Sequence, residues 1–180
     1  MISISYRKKK ENEDLSGLAW TLLEEESARR GICDVRARVV YGPHGKPYLT
    51  GNPFYFNLSH SGEYALCAVC DREVGCDIQV IGSVREALLR RRLHSKERDY
   101  ILSGADEREQ AERFTRIWTL RECYVKQTGI GLSLDFETFH FRIGKEGPVL
   151  CLTPGGEVQS LIFEEQRVED HLISFCYPKD

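Results

Sequence analysis

Apolar positions along the chain repeat with two periods, and these periods predict where the helices and strands lie. A helical period covers residues 15–28, behind Asp14 as the capping residue, and returns in residues 84–94, 96–103 and 106–128. A period of two, typical of half-buried strands, occupies much of the remaining sequence. The chain is therefore predicted to mix helices with strands.

The helix over residues 106–128 is the longest predicted element. Gly129 follows it and is suited to a left-handed C-terminal cap. Glu122 and Lys126 lie four positions apart on one face of this helix. Such a pair is commonly a surface ion pair contributing ~0.3–0.5 kcal/mol, but it also projects a carboxylate and an ammonium from a rigid support.

Strands are predicted wherever apolar and polar residues alternate. They cover residues 2–6, 35–41, 64–70, 74–80, 139–143, 149–152 and 172–177. The segments 64–70 and 74–80 are separated by only three charged residues and are predicted to form a β-hairpin. Residues 57–62, rich in serine and containing a histidine, are predicted to form a loop beside the core.

These elements indicate an α+β fold made of two α/β halves, each with helices packed on a small antiparallel sheet. The halves are predicted to span residues 1–81 and 82–180. Asp77 interrupts the apolar strand 74–80. Because an unpaired buried carboxylate is costly, Asp77 either lies on an exposed strand face or coordinates a cation.

Composition excludes several classes of protein. With 25 basic and 28 acidic residues the formal charge is −3, so no overall field attracts nucleic acid or an anionic membrane. Cys67 and Cys70 form the one CxxC spacing and fit a strand interior better than a zinc site. No apolar run approaches ~20 residues, and the N-terminus lacks the order of a signal peptide. Reduced thiols then favour the cytoplasm.

Four short motifs follow one another along the sequence. They are Gly45-Lys46-Pro47; Phe56-Asn57-Leu58-Ser59-His60-Ser61-Gly62; Val74-Gly75-Cys76-Asp77-Ile78; and residues 118–127 (WTLRECYVKQ) followed by Gly129, Gly131, Leu132 and Ser133. In this combination and order the chain resembles the phosphopantetheinyl transferases of the surfactin-synthetase type.

The resemblance implies both an activity and a fold. Such proteins move the 4′-phosphopantetheine arm of coenzyme A to a serine of an apo acyl or peptidyl carrier protein and release adenosine 3′,5′-bisphosphate. Their two halves are related by a pseudo-two-fold axis, and coenzyme A lies in the cleft between them. A monomer is therefore expected, with no nucleic-acid or membrane partner.

The resemblance also implies roles for individual residues. It places Lys46, Pro47, Ser59, His60, Arg121 and Lys126 against coenzyme A, and Asp77, Glu122 and Gln79 around Mg²⁺. Glu122 and Lys126 would be catalytic. Gln79 departs from the glutamate common in the family, so it can supply an amide oxygen to the metal but no charge.

The expected chemistry suits these residue types. Mg²⁺ and Lys126 would neutralise charge that develops on the pyrophosphate, and the serine proton would go to Glu122 or to a metal-bound water. Two other functions use the same residues: a non-catalytic module that binds coenzyme A or the carrier, and a hydrolase of coenzyme A-like pyrophosphates. A basic surface at Arg90, Arg91, Arg92 and Arg98 is predicted to receive an acidic carrier.

Overall fold

A computed structural model describes residues 1–131, 135–152 and 154–179. Within these ranges the helices are α1 (Leu15–Arg29), α2 (Glu86–Arg92), α3 (Ser95–Leu102) and α4 (Glu107–Thr128), with a 3-10 turn at Val35–Arg38. The strands are β1 (Ser3–Lys8), β2 (Val39–Tyr41), β3 (Pro47–Leu49), β4 (Tyr55–Ser61), β5 (Tyr64–Cys70), β6 (Gly75–Val80), β7 (Phe139–Gly144), β8 (Gly147–Leu152), β9 (Gly156–Glu157), β10 (Leu161–Val168) and β11 (His171–Pro178).

The N-terminal part packs α1 on an antiparallel sheet of order β1-β5-β4. The helix begins where predicted, because the Asp14 carboxylate accepts a hydrogen bond of 2.6 Å from the Gly17 amide. Leu18, Leu22 and Leu23 are buried in a cluster with apolar residues of β4 and β5. Removing these side chains from water stabilises this layer.

The C-terminal part packs α4 between two further sheets, of order β10-β11-β6 and β7-β8-β9. Asp106 accepts a hydrogen bond from the Glu109 amide at the start of α4, and Gly129 ends the helix with φ of 69°. The predicted long helix and its glycine cap are thus confirmed. Phe114, Ile117 and Leu120 lie in the core that α4 shares with β7 and β8.

Two predictions about the middle of the chain are wrong. Residues 57–62 do not form a loop, since most of them belong to β4, which pairs with β5. Strands 64–70 and 74–80 are both present, but they do not form a hairpin: β6 pairs with β11, far along the chain. A local pattern carries no information about such a distant partner.

Two smaller differences have local causes. The predicted strand 35–41 is shortened to β2, because Asp34 adopts a left-handed conformation with φ of 52° and a 3-10 turn follows it. Helix α3 is capped by His94 rather than Ser95, and Glu97 completes the capping box. Strand β10, which pairs along β11, was not predicted.

Strand β6 and helix α4 touch through their backbones at Gly75. A Cβ atom there would lie 1.9 Å from the Cys123 carbonyl oxygen and 2.5 Å from the Gln127 amide nitrogen. Only glycine leaves room for this contact. It sets the distance between the strand that carries Asp77 and the helix that carries Glu122 and Lys126.

The structure confirms a mixed α/β fold with helices on small antiparallel sheets. The boundary between residues 81 and 82 stays a prediction, although β6 already belongs to the sheet completed by β10 and β11. In the part of the chain that the structure describes, no helix combines the length and apolar character needed to cross a membrane.

Substituting Gly75 tests the backbone contact. Gly75→Ala forces β6 and α4 apart, so the free energy of unfolding should fall by about 3 kcal/mol, as in strongly overpacked cores. Urea denaturation followed by circular dichroism measures this change. Gly82→Ala is the control, because a Cβ at Gly82 meets no atom within 4 Å. Equal stability of the two variants would contradict the proposed constraint.

Candidate active site

The centre of the candidate site is an ion pair between Asp77 on β6 and Lys126 on α4. The Lys126 ammonium lies 2.6 Å from Asp77 Oδ1, and it also donates to Ser59 Oγ at 3.0 Å and to the Cys76 carbonyl at 3.2 Å. Asp77 is 2% exposed. Of the two alternatives for this carboxylate, an exposed strand face or a cation partner, the structure therefore has the second. Here the cation is an ammonium of the protein itself.

Electrostatics favour the charged form of this lysine. Burial lowers the pKa of the Lys126 ammonium, but the neighbouring negative groups, Asp77 foremost and then Cys76 and Glu122, together outweigh burial and hold the pKa above its usual value. Ser59 strengthens the arrangement, since its hydroxyl donates a hydrogen bond of 2.6 Å to Asp77 Oδ1. Lys126 therefore presents a stable positive charge at the centre of the site.

Glu122 lies one helical turn before Lys126 and has a different environment. Its half-buried carboxylate makes no hydrogen bond and no ion pair within residues 1–131, 135–152 and 154–179. Burial raises the pKa of Glu122, and repulsion from Asp77 raises it further. An additional cation, or a proton, would relieve this repulsion.

Gln79 lies beside Asp77, with its amide nitrogen toward the Asp77 carboxylate and its amide oxygen toward Ser61. Its amide nitrogen donates to Asp77 Oδ2 at 3.3 Å, while its amide oxygen accepts from the Ser61 hydroxyl at 3.3 Å. In this orientation the Gln79 amide stabilises the Asp77 carboxylate, and its oxygen does not face a metal that Asp77 would bind. Direct coordination of a metal by Gln79 would require the amide to turn over.

Alternating polar side chains of β4 hold β6 in place. The oxygens of Asn57, Ser59 and Ser61 accept hydrogen bonds from backbone amides on β6. The three bonds are Cys76 N to Asn57 Oδ1 at 3.0 Å, Ile78 N to Ser59 Oγ at 3.4 Å and Val80 N to Ser61 Oγ at 3.1 Å. Side chains thus replace the usual backbone ladder on this edge of β6, and they fix the strand that carries Asp77.

A cavity of about 280 Å³ opens beside these groups. Lys126 and Glu122 line it from α4, and Pro47 lines it from the start of β3. The other lining residues are His44, Gly45, Lys46, Asn57, Leu58, Val125, Gly129 and Gly131. Parts of three sequence motifs therefore meet around one cavity; Leu132 and Ser133 lie outside the described residues.

Arg121, one of the residues expected to contact coenzyme A, lies away from the cavity. Arg121 is buried on the opposite side of α4, where its guanidinium pairs with Glu97 and donates to the Phe136 and Phe139 carbonyls. It does not line the cavity, contrary to the expectation that it contacts coenzyme A. Successive residues of a helix differ by about 100° in direction, which separates Arg121 from Glu122.

The orientations of Lys46 and His60 bear on their expected contacts with coenzyme A. The Lys46 side chain lines the cavity wall, but its ammonium points inward to protein oxygens. His60 is exposed, whereas Ser59 faces Asp77. Neighbouring strand residues point to opposite faces, so Ser59 and His60 face different sides of β4, and their contact with coenzyme A stays a prediction.

Sequence reasoning missed Glu73 and Asn57. Glu73 accepts a hydrogen bond of 2.6 Å from Lys46, and Asn57 both holds Cys76 and lines the cavity. The predicted hairpin places Glu73 among the three charged residues between its two strands. Its position directly before the Val74–Ile78 motif was the available signal.

Comparison with known proteins places the chain in a family. The family model of the 4′-phosphopantetheinyl transferase superfamily matches residues 73–176. A 4′-phosphopantetheinyl transferase from Bacillus subtilis is 31% identical over 136 residues, covering 74% of this chain and 59% of that protein. One from Bacillus pumilus is 34% identical over 120 residues, covering 66% of this chain and 51% of that protein.

One solved structure aligns with part of the chain. The holo-[acyl-carrier-protein] synthase of Thermotoga maritima aligns with a TM-score of 0.47 and 20% identity, covering 60% of this chain and 63% of that one. The chain spans about half the length of the curated relatives that it matches. The family match covers more than half of the chain and includes Asp77, Glu122 and Lys126, so the chain belongs to the 4′-phosphopantetheinyl transferase superfamily.

Proposed function

We propose that this chain transfers the 4′-phosphopantetheine arm of coenzyme A to a serine of an apo acyl or peptidyl carrier protein. The observation that carries the proposal is the buried Asp77–Lys126 pair beside the unpaired Glu122, with Glu122 and Lys126 on the wall of one cavity. Membership of the superfamily supports the same reaction. No feature of the described residues favours a binding module or a hydrolase over a transferase.

The proposed reaction makes two demands on the protein. The serine oxygen attacks the phosphorus that carries the pantetheine arm. A serine oxygen–phosphorus bond forms, the pyrophosphate bond breaks, and adenosine 3′,5′-bisphosphate leaves. Negative charge on the phosphates must be stabilised, and the serine proton must be accepted.

Asp77 and Glu122 would hold Mg²⁺. Both carboxylates lie at the site, and the unpaired state and raised pKa of Glu122 fit a position that a cation would complete. No cluster of three or more His, Cys, Asp or Glu side chains occurs in the described ranges, but Mg²⁺ commonly binds through one or two carboxylates together with phosphates and waters. When bound, Mg²⁺ would neutralise charge on the phosphate oxygens.

Lys126 and Glu122 would meet the remaining demands. The Lys126 ammonium would stabilise the phosphate that leaves with adenosine, since its raised pKa keeps it charged. Glu122 and a water molecule are the two candidate acceptors of the serine proton.

The carrier would dock beside helix α2. Arg90, Arg91 and Arg92 are exposed there, and Arg92 lies close enough to influence the pKa of Glu122. Arg98, the fourth arginine of the predicted surface, is half-buried, and its guanidinium donates one hydrogen bond of 2.6 Å to the Leu93 carbonyl. An acidic carrier would complement the three arginines. We also expect a cytoplasmic monomer that uses neither a nucleic acid nor a membrane.

Intact-protein mass spectrometry tests the reaction and its metal dependence together. A generic apo carrier protein incubated with this chain, coenzyme A and Mg²⁺ should gain the mass of one phosphopantetheine arm, and chelation of Mg²⁺ should abolish the gain. Coenzyme A bound without transfer would favour the binding module. Coenzyme A cleaved with the carrier unmodified would favour the hydrolase.

Removal of either carboxylate charge should stop the reaction. Asp77→Asn and Glu122→Gln should each lower kcat at least about 100-fold, since loss of a charge-stabilising group commonly costs that much. Initial rates of carrier modification measure the effect, and circular dichroism reports whether the variants fold. Glu107→Gln, at an exposed position in the first turn of α4, is the matched control. Full activity of either site variant would refute the assignment.

Loss of the Lys126 charge should slow the chemical step. Lys126→Met removes the cation next to Asp77, so kcat should fall by about 100-fold. Single-turnover measurements with saturating coenzyme A separate this effect from weaker binding. An unchanged single-turnover rate would show that Lys126 serves only to pair with Asp77.

A further inference from the structure

The ammonium of Lys46 uses its full hydrogen-bonding capacity inside the protein. It lies 2.6 Å from Glu73 Oε2, 2.9 Å from the Gln127 carbonyl oxygen and 3.3 Å from the Val74 carbonyl oxygen. An ammonium has three N–H donors, and three oxygens receive them. The Lys46 side chain is 6% exposed. No donor is left for a phosphate in the cavity.

The three oxygens belong to the two elements that form the candidate site. Glu73 and Val74 directly precede β6, and Gln127 lies in the last turn of α4. The last carbonyls of a helix lack partners within the helix, and a cation there also interacts favourably with the helix dipole. Lys46 thus joins the start of β6 to the end of α4.

The surrounding contacts are close and specific. A Cβ atom at Gly129 would lie 3.2 Å from Lys46 Cδ and 3.1 Å from the Tyr48 hydroxyl. The Lys46 ammonium also lies 5.5 Å from the centre of the Tyr48 ring. The aliphatic part of the Lys46 side chain therefore packs against the glycine that ends α4. The motif that contains Lys46 and the motif that contains Gly129 are in direct contact.

We infer that Lys46 is a positioning residue, which clamps the end of α4 to the start of β6 and does not bind coenzyme A through its ammonium. Lys126 immediately precedes Gln127, and Asp77 lies shortly after Val74. The clamp therefore holds the two members of the central ion pair at their observed separation. Its kinetic consequence rests on the proposed transferase function, whereas its structural consequence does not.

Two variants distinguish a clamp from a phosphate ligand. If Lys46 is a clamp, Lys46→Met should lower kcat at least 10-fold, with the Kd of coenzyme A changed less than about 3-fold. Glu73→Gln weakens the same clamp, so it should also lower kcat, and the double variant should be no worse than Lys46→Met. If Lys46 binds phosphate, Lys46→Met should weaken coenzyme A at least 10-fold, and Glu73→Gln should tighten it by releasing the ammonium. Calorimetry measures Kd.

Hydrogen exchange gives a measurement that does not depend on activity. Amides in residues 125–129 should exchange at least 10-fold faster in Lys46→Met and faster in Glu73→Gln, because the end of α4 loses its clamp. Lys145→Met, at an exposed position in the β7–β8 turn, should match the wild type. Unchanged exchange in both clamp variants would overturn the inference. Failure of the wild type to modify a carrier would instead overturn the proposed function.

Discussion

The site depends on the contact between two backbones at Gly75. In most packed elements side chains keep the backbones of neighbouring layers apart, but here the absence of a Cβ lets β6 touch α4 directly. Residues 75 and 77 point to the same face of the strand, so the face that touches the helix also carries Asp77. A short reach from α4 then suffices for Lys126 to pair with it.

Two cations of α4, Arg121 and Lys126, lie on different sides of the helix and have different roles. Arg121 and Glu97 together satisfy backbone groups at the edge of β7, since Phe139 O accepts from the arginine and the Phe141 amide donates to the glutamate. A buried pair of this kind adds little net stability, but leaving one partner unpaired is expensive. This side of the helix is fixed by fold requirements, which leaves Glu122 and Lys126 free to form the site.

Elements with local signals could be predicted from the sequence, and those with distant partners could not. Helix α4 carries its apolar period and both caps within its own residues, so its limits were predictable. Residues 57–62 are predicted as a loop because Asn57, Ser59 and Ser61 are typical of turns. Their oxygens instead accept hydrogen bonds from β6 amides, a role that becomes visible only when β6 lies beside them.

The two lysines of the motifs, Lys46 and Lys126, show what the sequence cannot predict about the site. Lys46 and Lys126 have the same chemistry, and each ammonium has three protein acceptors. Exposure separates them: the Lys126 side chain is 27% exposed and that of Lys46 is 6% exposed. The Lys126 ammonium is the more accessible of the two to a ligand oxygen from the cavity, whereas the Lys46 ammonium is enclosed by its three protein acceptors. The motifs specify both charges, but the packing around each ammonium decides which one can act on a substrate.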